Sequence, residues 1–298
     1  MRFTAARHKA SFWLDCLLAT ISLLAQPAAS AHEVPDMLGR VQQFDAVPRR
    51  IVSLLPSMAE TLCALDACDR LVGVDRYTTH PAQVLALPQV GGNYDPSIER
   101  IVSLKPDLVV MPHAPRVSER LEALGIRTMV MDAMNLRDVR RVFALTDQVL
   151  QQNKHQAVLR RLEDELAEVA RNLAHMPRQR VYVEVDGGLY TAARPSFIGE
   201  LLHLLGAENI AGEGRGNFPK LNAEFIVGAN PELIITTYQA RGDEIAHRPG
   251  WSGIRAVRSG RLCLLAAHDR EVVIRPGPRL GEAARALANC LRLTSSPP

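Results

Sequence analysis

The stretch Lys154-His-Gln-Ala-Val-Leu-Arg-Arg-Leu-Glu-Asp-Glu-Leu-Ala-Glu-Val-Ala-Arg-Asn-Leu-Ala-His175 lies in the longest interval without glycine or proline, between Gly125 and Pro177. Ala157, Leu159, Leu162, Leu166, Val169, Ala170 and Leu173 recur at three- and four-residue steps, with Arg160, Arg161, Glu163, Asp164, Glu165, Glu168 and Arg171 between them. That spacing predicts an amphipathic helix over residues 154–175 with one wet face. About 20 residues at about 1.5 Å each reach about 30 Å, the width of a small domain. On both sides the chain alternates between strand and helix patterns. The helix therefore reads as a stiff connector between two α/β lobes, and the plain alternative is a surface helix of one large domain.

Working outward, residues 49–135 form the first lobe, 136–176 the helical connector and 177–296 the second lobe. Residues 32–47 read as an extended leader. In the first lobe Ile51-Val52-Ser53-Leu54, Leu71-Val72-Gly73-Val74 and residues 126–131 read as strands, and Leu108-Val109-Val110-Met111 as an apolar strand of the kind covered on both faces. Ser57 followed by Glu60 reads as a capping box opening a helix. In the second lobe the strands are residues 180–185, 233–237 and 261–266, with His268-Asp269-Arg270 as a loop and residues 281–293 as the closing helix. The halves share a detail. Ser97-Ile-Glu-Arg-Ile101…Lys105-Pro-Asp-Leu-Val109 is echoed by Asn222-Ala-Glu-Phe-Ile226…Asn230-Pro-Glu-Leu-Ile234. The fold class is accordingly α/β, with two similar lobes joined by one long backbone helix.

Residues 1–31 stand outside this pattern. Arg2, Arg7 and Lys9 precede an apolar run over residues 16–25, then Pro27 and Ala29-Ser30-Ala31. This reads as a secretory signal peptide cut after Ala31, giving a soluble, exported chain that is not embedded in a membrane. Export suits the four cysteines left after cleavage. Each pair falls within one lobe, so Cys63–Cys68 and Cys263–Cys290 are the expected disulfides, against the alternative of buried free thiols. No Cys-x-x-Cys accompanies them, so a zinc site is not expected. A net charge of +3 from 35 basic and 32 acidic residues, dispersed along the chain, gives no basis for nucleic-acid binding.

Loops beyond the carboxyl ends of parallel strands are where α/β sheets bind ligands. Tyr77, Asn93, Tyr94 and His113 fall there in the first lobe, and Phe218, Tyr238 and His268 in comparable loops of the second. His113, His268 and the tyrosines could ligate a metal or haem, and the plain alternative for each is a solvated loop residue. Glu99 and Glu224 occupy equivalent places near the starts of short helices. The helix dipole accounts for them locally, and the functional reading is a pair of widely spaced acidic docking points. There is no Gly-x-Ser-x-Gly, P-loop or His-Glu-x-x-His, so an exported metal-dependent enzyme using His113 or His268 is the rival and not the expectation.

Arg50-Ile-Val-Ser-Leu-Leu-Pro-Ser-Met-Ala-Glu60-Thr, Val72-Gly-Val-Asp-Arg-Tyr77, Ser97-Ile-Glu-Arg-Ile-Val-Ser-Leu-Lys-Pro-Asp-Leu-Val109 and Leu205-Gly-Ala-Glu-Asn209 resemble the helical-backbone (class III) periplasmic binding proteins, within them most closely the cobalamin-binding group. The resemblance implies a non-enzymatic, monomeric periplasmic receptor that has no intrinsic cofactor. It would bind a corrinoid (cobalamin-like) ligand or related metal chelate, haem and ferric siderophores being the alternatives, and deliver it to an ABC importer. It also implies a ligand cleft between the lobes to which Tyr77 and Phe218 belong, and that Glu99 and Glu224 salt-bridge arginines of the permease subunits. The chain departs from the cobalamin group at Asn93, where a tryptophan is usual, at Phe218 for a second tryptophan, and at Val272 and Val273 in place of larger aromatics.

Overall fold

The structure is a computed structural model that describes residues 32–213 and 216–293. The expected signal peptide lies outside the described residues. The leader is not merely extended. It forms an antiparallel hairpin, β1 (His32–Pro35) and β2 (Val41–Phe44), pairing His32 with Phe44 and Pro35 with Val41. Asp36 is fully buried in its turn, where its carboxylate accepts hydrogen bonds from the N–H groups of Leu38 (2.9 Å) and Arg40 (3.0 Å). The sequence underplayed this hairpin because Val34 and Phe44 become core residues only against the rest of the molecule.

The first lobe runs β3 (Ile51–Ser53), α1 (Pro56–Ala64), β4 (Leu71–Val74), α2 (Ile98–Ser103), β5 (Leu108–Met111), α3 (Pro115–Glu122) and β6 (Thr128–Val130). The connector holds two helices, α4 (Leu136–Leu150) and α5 (His155–Arg171). The second lobe runs β7 (Arg180–Glu184), α6 (Phe197–Leu204), β8 (Glu208–Asn209), α7 (Ala223–Ala229), β9 (Leu233–Thr236), α8 (Gly242–Ala246), α9 (Arg255–Arg258), β10 (Leu262–Leu264), α10 (Ala267–Val273) and α11 (Leu280–Leu291). His268-Asp269-Arg270 is therefore the start of a helix and not a loop.

Both lobes carry a four-stranded parallel sheet, ordered β4-β3-β5-β6 and β10-β9-β7-β8. Counted within each lobe, both orders read second, first, third, fourth strand. The period-2 alternation of a strand then assigns every side chain to a face. Val52, Leu54, Val109 and Met111 fill the outer face of the first sheet, and Tyr182 and Ile234 that of the second. Ile51, Leu108, Val110 and Met129 of the first sheet and Val181, Val183, Leu233 and Ile235 of the second belong to one shared cluster. That cluster also takes in residues of α1, α4, α5, α6 and α11, so a continuous apolar core runs from lobe to lobe.

The helix α5 has 17 residues, or about 25 Å at about 1.5 Å per residue, somewhat shorter than the periodicity suggested. Leu162, Leu166 and Val169 are its buried stripe, packed against α4 and α11. Gly281 suits the close approach of α11, because a Cβ there would lie 3.0 Å from the Cβ of Glu165 on α5. Gln151 and Asn153, both with left-handed backbone, separate α4 from α5. The two disulfides join Cys63 to Cys68 and Cys263 to Cys290.

The capping box at Ser57 and Glu60 does not form. Leu55 is the N-cap of α1, Pro56 opens the helix, and no side chain caps it. Glu60 is instead buried where the lobes meet. Its carboxylate accepts from Nε (2.9 Å) and Nη2 (2.6 Å) of Arg279 and from Nη1 of Arg275 (3.2 Å). Both arginines are themselves only 8% exposed. A proline that starts the helix without a cap freed this carboxylate for a tertiary partner, which local sequence could not reveal. Glu60→Ala would leave two buried guanidinium groups without their counter-charge, a change that typically costs about 3–5 kcal/mol. Urea unfolding is expected to show a loss of that size, with an unchanged slope against denaturant.

Candidate functional site

Beside the Glu60 cluster, further contacts fasten the second lobe to the first lobe and the connector at two edges. The guanidinium of Arg275 donates to the carbonyl of Tyr77 (2.7 Å), and the Thr79 hydroxyl donates to Glu271 (2.6 Å). On the other side the N–H of Phe197 donates to the Met134 carbonyl (2.9 Å) and that of Leu136 to Glu200 (2.6 Å). Every one of these residues lies on a segment that leaves the carboxyl end of a strand. The carboxyl edges of the two sheets therefore face each other, with the ends of the central strands β3, β5, β7 and β9 between the tied edges.

The first-lobe wall is built on Asp75, directly after β4. It is fully buried, and its carboxylate accepts from the Tyr77 N–H (2.6 Å) and the Thr78 hydroxyl (2.7 Å). Burial pushes its pKa up, and these hydrogen bonds with the nearby Arg275 charge offset only part of that. Arg76 pairs with Asp95 at 2.6 Å and lies 5.7 Å from the Tyr77 ring centroid, stitching the loop after β4 to the loop before α2. Tyr77 and Tyr94 are then left 53% and 63% exposed, and Asn93 is half-buried beside them. At the ends of β5 and β6 sit His113, exposed, and Asp132. Burial raises the pKa of Asp132 while the His113 and Ala133 N–H groups oppose the shift, and burial, then the Asp132 charge, raises that of Tyr94. Tyr94, His113 and Asp132 thus form one group.

In the second lobe Tyr238 stands two residues past β9, as His113 stands two past β5. Its hydroxyl donates to Glu184 (3.1 Å) and accepts from Arg248 (3.0 Å), so its polar end is already engaged. Arg248 grips the fully buried Glu184 with both nitrogens, at 2.7 and 3.0 Å, and lies 4.5 Å from the Trp251 ring centroid. Phe218 is half-buried, edge-on to Phe197 with ring centroids 6.1 Å apart. His268 is exposed and pairs with Glu282 of α11 at 3.3 Å, which sets it apart from the Tyr238 group. Sequence reading passed over Glu60, Asp75, Asp132, Glu184, Arg248, Arg275 and Arg279. An acid closing an apolar strand, as in Glu184, or directly following one, as in Asp75 and Asp132, was the available signal.

Glu99 and Glu224 sit in the first turns of α2 and α7, behind the N-caps Ser97 and Asn222. Both are exposed, and neither makes a salt bridge among the described residues. The carboxyl of Glu99 is held below its ordinary pKa by its own N–H and by the Ser97 hydroxyl at 3.1 Å. A cavity of about 960 Å³ lies elsewhere, between α4, α5 and α6, and none of the expected ligand residues lines it. Its charges are largely matched internally, Arg140 with Glu163 at 2.8 Å and Arg194 with Glu213 at 3.3 Å. Among the described residues no group of three or more His, Cys, Asp or Glu could hold a metal ion, and no helix is long and apolar enough to cross a membrane.

Comparison with known proteins agrees with this architecture. A family model described as "Periplasmic binding protein" matches residues 51–268. An uncharacterized ABC transporter substrate-binding lipoprotein, YvrC of Bacillus subtilis, is 30% identical over 96% of this chain and 98% of its own length. A vitamin B12-binding protein of Salmonella paratyphi A is 29% identical over 81% of this chain and 90% of its own. The solved structure of a possible iron-binding (periplasmic solute-binding) protein from Staphylococcus epidermidis superposes with a TM-score of 0.74 at 24% identity, covering 83% of this chain and 100% of that one.

The different settings of the aromatic residues lead to different expectations. Tyr77→Ala and Tyr94→Ala remove rings that are more than half exposed, and each should change unfolding free energy by no more than about 0.5 kcal/mol. Phe218→Ala strips a ring from Phe197 and the core and should cost about 1–3 kcal/mol. Chemical unfolding of the three variants checks both.

Proposed function

This chain belongs to the periplasmic binding protein family, and we propose that it is a periplasmic receptor capturing a corrinoid (cobalamin-like) ligand for an ABC importer. The observation that carries the reading is the pair of exposed rings, Tyr77 and Tyr94, on a wall whose charges are already matched. Arg76 is paired with Asp95, and Asp75 is buried under its own hydrogen bonds. Flat apolar surface with few free charges suits a large macrocycle, which gains from ring burial and needs only a few polar anchors. Similarity to a vitamin B12-binding protein over 81% of the chain supports the same choice. His113 and Phe218 extend the contact surface from the two lobes, and Tyr238 offers its ring while its hydroxyl is engaged.

Delivery rests on a second observation. Glu99 and Glu224 are exposed carboxylates at matching points of two lobes with one strand order, so a single concave permease face could meet both. Exposed charges add little to fold stability, but at an interface they set orientation and encounter rate. With residues 1–31 read as a cleaved signal peptide, the proposal is of a periplasmic receptor that acts as a soluble monomer.

Equilibrium dialysis against cyanocobalamin, haemin and a ferric siderophore tests the ligand. Cyanocobalamin is expected to bind with its spectrum little changed. Haemin binding with an iron spectrum that changes in Tyr94→Ala or His113→Ala would transfer the reading to haem, and turnover of a bound molecule would favour an enzyme. In reconstituted transporter, Glu99→Ala with Glu224→Ala should keep ligand affinity within about twofold and lower ATPase stimulation by about tenfold or more. Normal stimulation would leave these glutamates only their role at the helix starts.

A further inference from the structure

The Tyr77 peptide is held at both ends by charged side chains from different lobes. Its N–H donates to the buried Asp75 carboxylate at 2.6 Å, and its carbonyl accepts from Nη2 of Arg275 at 2.7 Å. The same guanidinium uses Nη1 to reach the Thr79 hydroxyl at 3.0 Å and Glu60 at 3.2 Å. Arg275 is 8% exposed, whereas the Tyr77 side chain it serves belongs to a residue 53% exposed. Thr79 adds a second tie across the join by donating to Glu271 at 2.6 Å. The loop after β4 is thus part of the first lobe by sequence, yet it is fastened to the end of α10 in the second.

We propose that Arg275 is a positioning residue for ligand binding, setting the Tyr77 ring across the join so that this part of the wall is formed before ligand arrives. The inference rests on the reading of Tyr77 as a ligand contact. The physical basis is preorganisation, since a ring ordered in the free protein loses less freedom on binding. The fork of a guanidinium is essential to the assignment. One planar group serves Glu60, Thr79 and the Tyr77 carbonyl from two separate nitrogens, and a lysine ammonium has a single nitrogen with which to do so.

Arg275→Lys keeps the charge that Glu60 needs and removes the fork. Thr79→Val is a milder second variant that keeps the Arg275 bonds to Glu60 and to the Tyr77 carbonyl and removes the hydroxyl that links Arg275 and Glu271. Each is made alone and together with Tyr77→Ala, and affinity for cyanocobalamin is measured alongside amide exchange of the ligand-free protein. Arg275→Lys should weaken binding by about tenfold in the parent, and by less than about twofold once Tyr77 is alanine, because residues acting through one another are not additive. Exchange at residues 75–80 should quicken by about tenfold in Arg275→Lys, and less in Thr79→Val, with the β3 and β5 amides unchanged. Unchanged exchange at residues 75–80 overturns the positioning role whether or not any ligand binds, and so does a full additive loss in the double variant. A parent protein that ignores cyanocobalamin while loop exchange still responds to Arg275→Lys defeats the corrinoid reading and upholds the role of Arg275 in the loop.

Discussion

Glu60 brings a single negative charge into the join between the lobes, and Arg275 and Arg279 close on it from the other side. A buried ionic cluster of this kind is not a strong source of net stability, because desolvation of three charges offsets most of their attraction. Its effect is on geometry. Apolar side chains tolerate small slips, whereas a carboxylate bound by two guanidinium groups fixes distance and angle together. The Tyr77 loop, the end of α10 and the start of α11 all take their places from it.

The shared core makes the same point without charge. Side chains from both sheets, from α4 and α5 of the connector and from α1, α6 and α11 form one cluster, so relative motion of the lobes would disturb a packed interior. Contacts at Met134 and Leu136 fasten the edge opposite the clamp. On the proposed reading, a site tied at both edges and backed by core would be formed before ligand arrives.

The two lobes repeat one plan in detail. Ser97 and Asn222 each accept a hydrogen bond from the N–H three residues on. Lys105 and Asn230 both take left-handed backbone, φ 48° and 46°, directly before a proline that disfavours right-handed helix at the residue preceding it. The next acids, Asp107 and Glu232, then accept from the N–H groups of Arg49 and Arg50 just before β3 and of Arg180 at the start of β7. Glu99 and Glu224 owe their matched places to this repeated frame.

Sequence alone determined the two α/β lobes, the amphipathic connector and the internal echo, because strand alternation, the helical stripe and the proline and glycine stops are local patterns. It also pointed to Tyr77, Tyr94 and His113, since polar or aromatic residues past apolar strands stand out in a chain with only 5% aromatics. Tertiary structure decided what Glu60 does, and it turned the leader into a hairpin and His268 into the first turn of a helix. It also decided that Tyr238 would spend its hydroxyl on Glu184 and Arg248. The two buried carboxylates depend on partners far along the chain, 215 positions from Glu60 to Arg275 and 64 from Glu184 to Arg248. A short-range pattern shows that a charge is present, but only the folded chain brings up the opposite charge that determines whether it is buried or left in water.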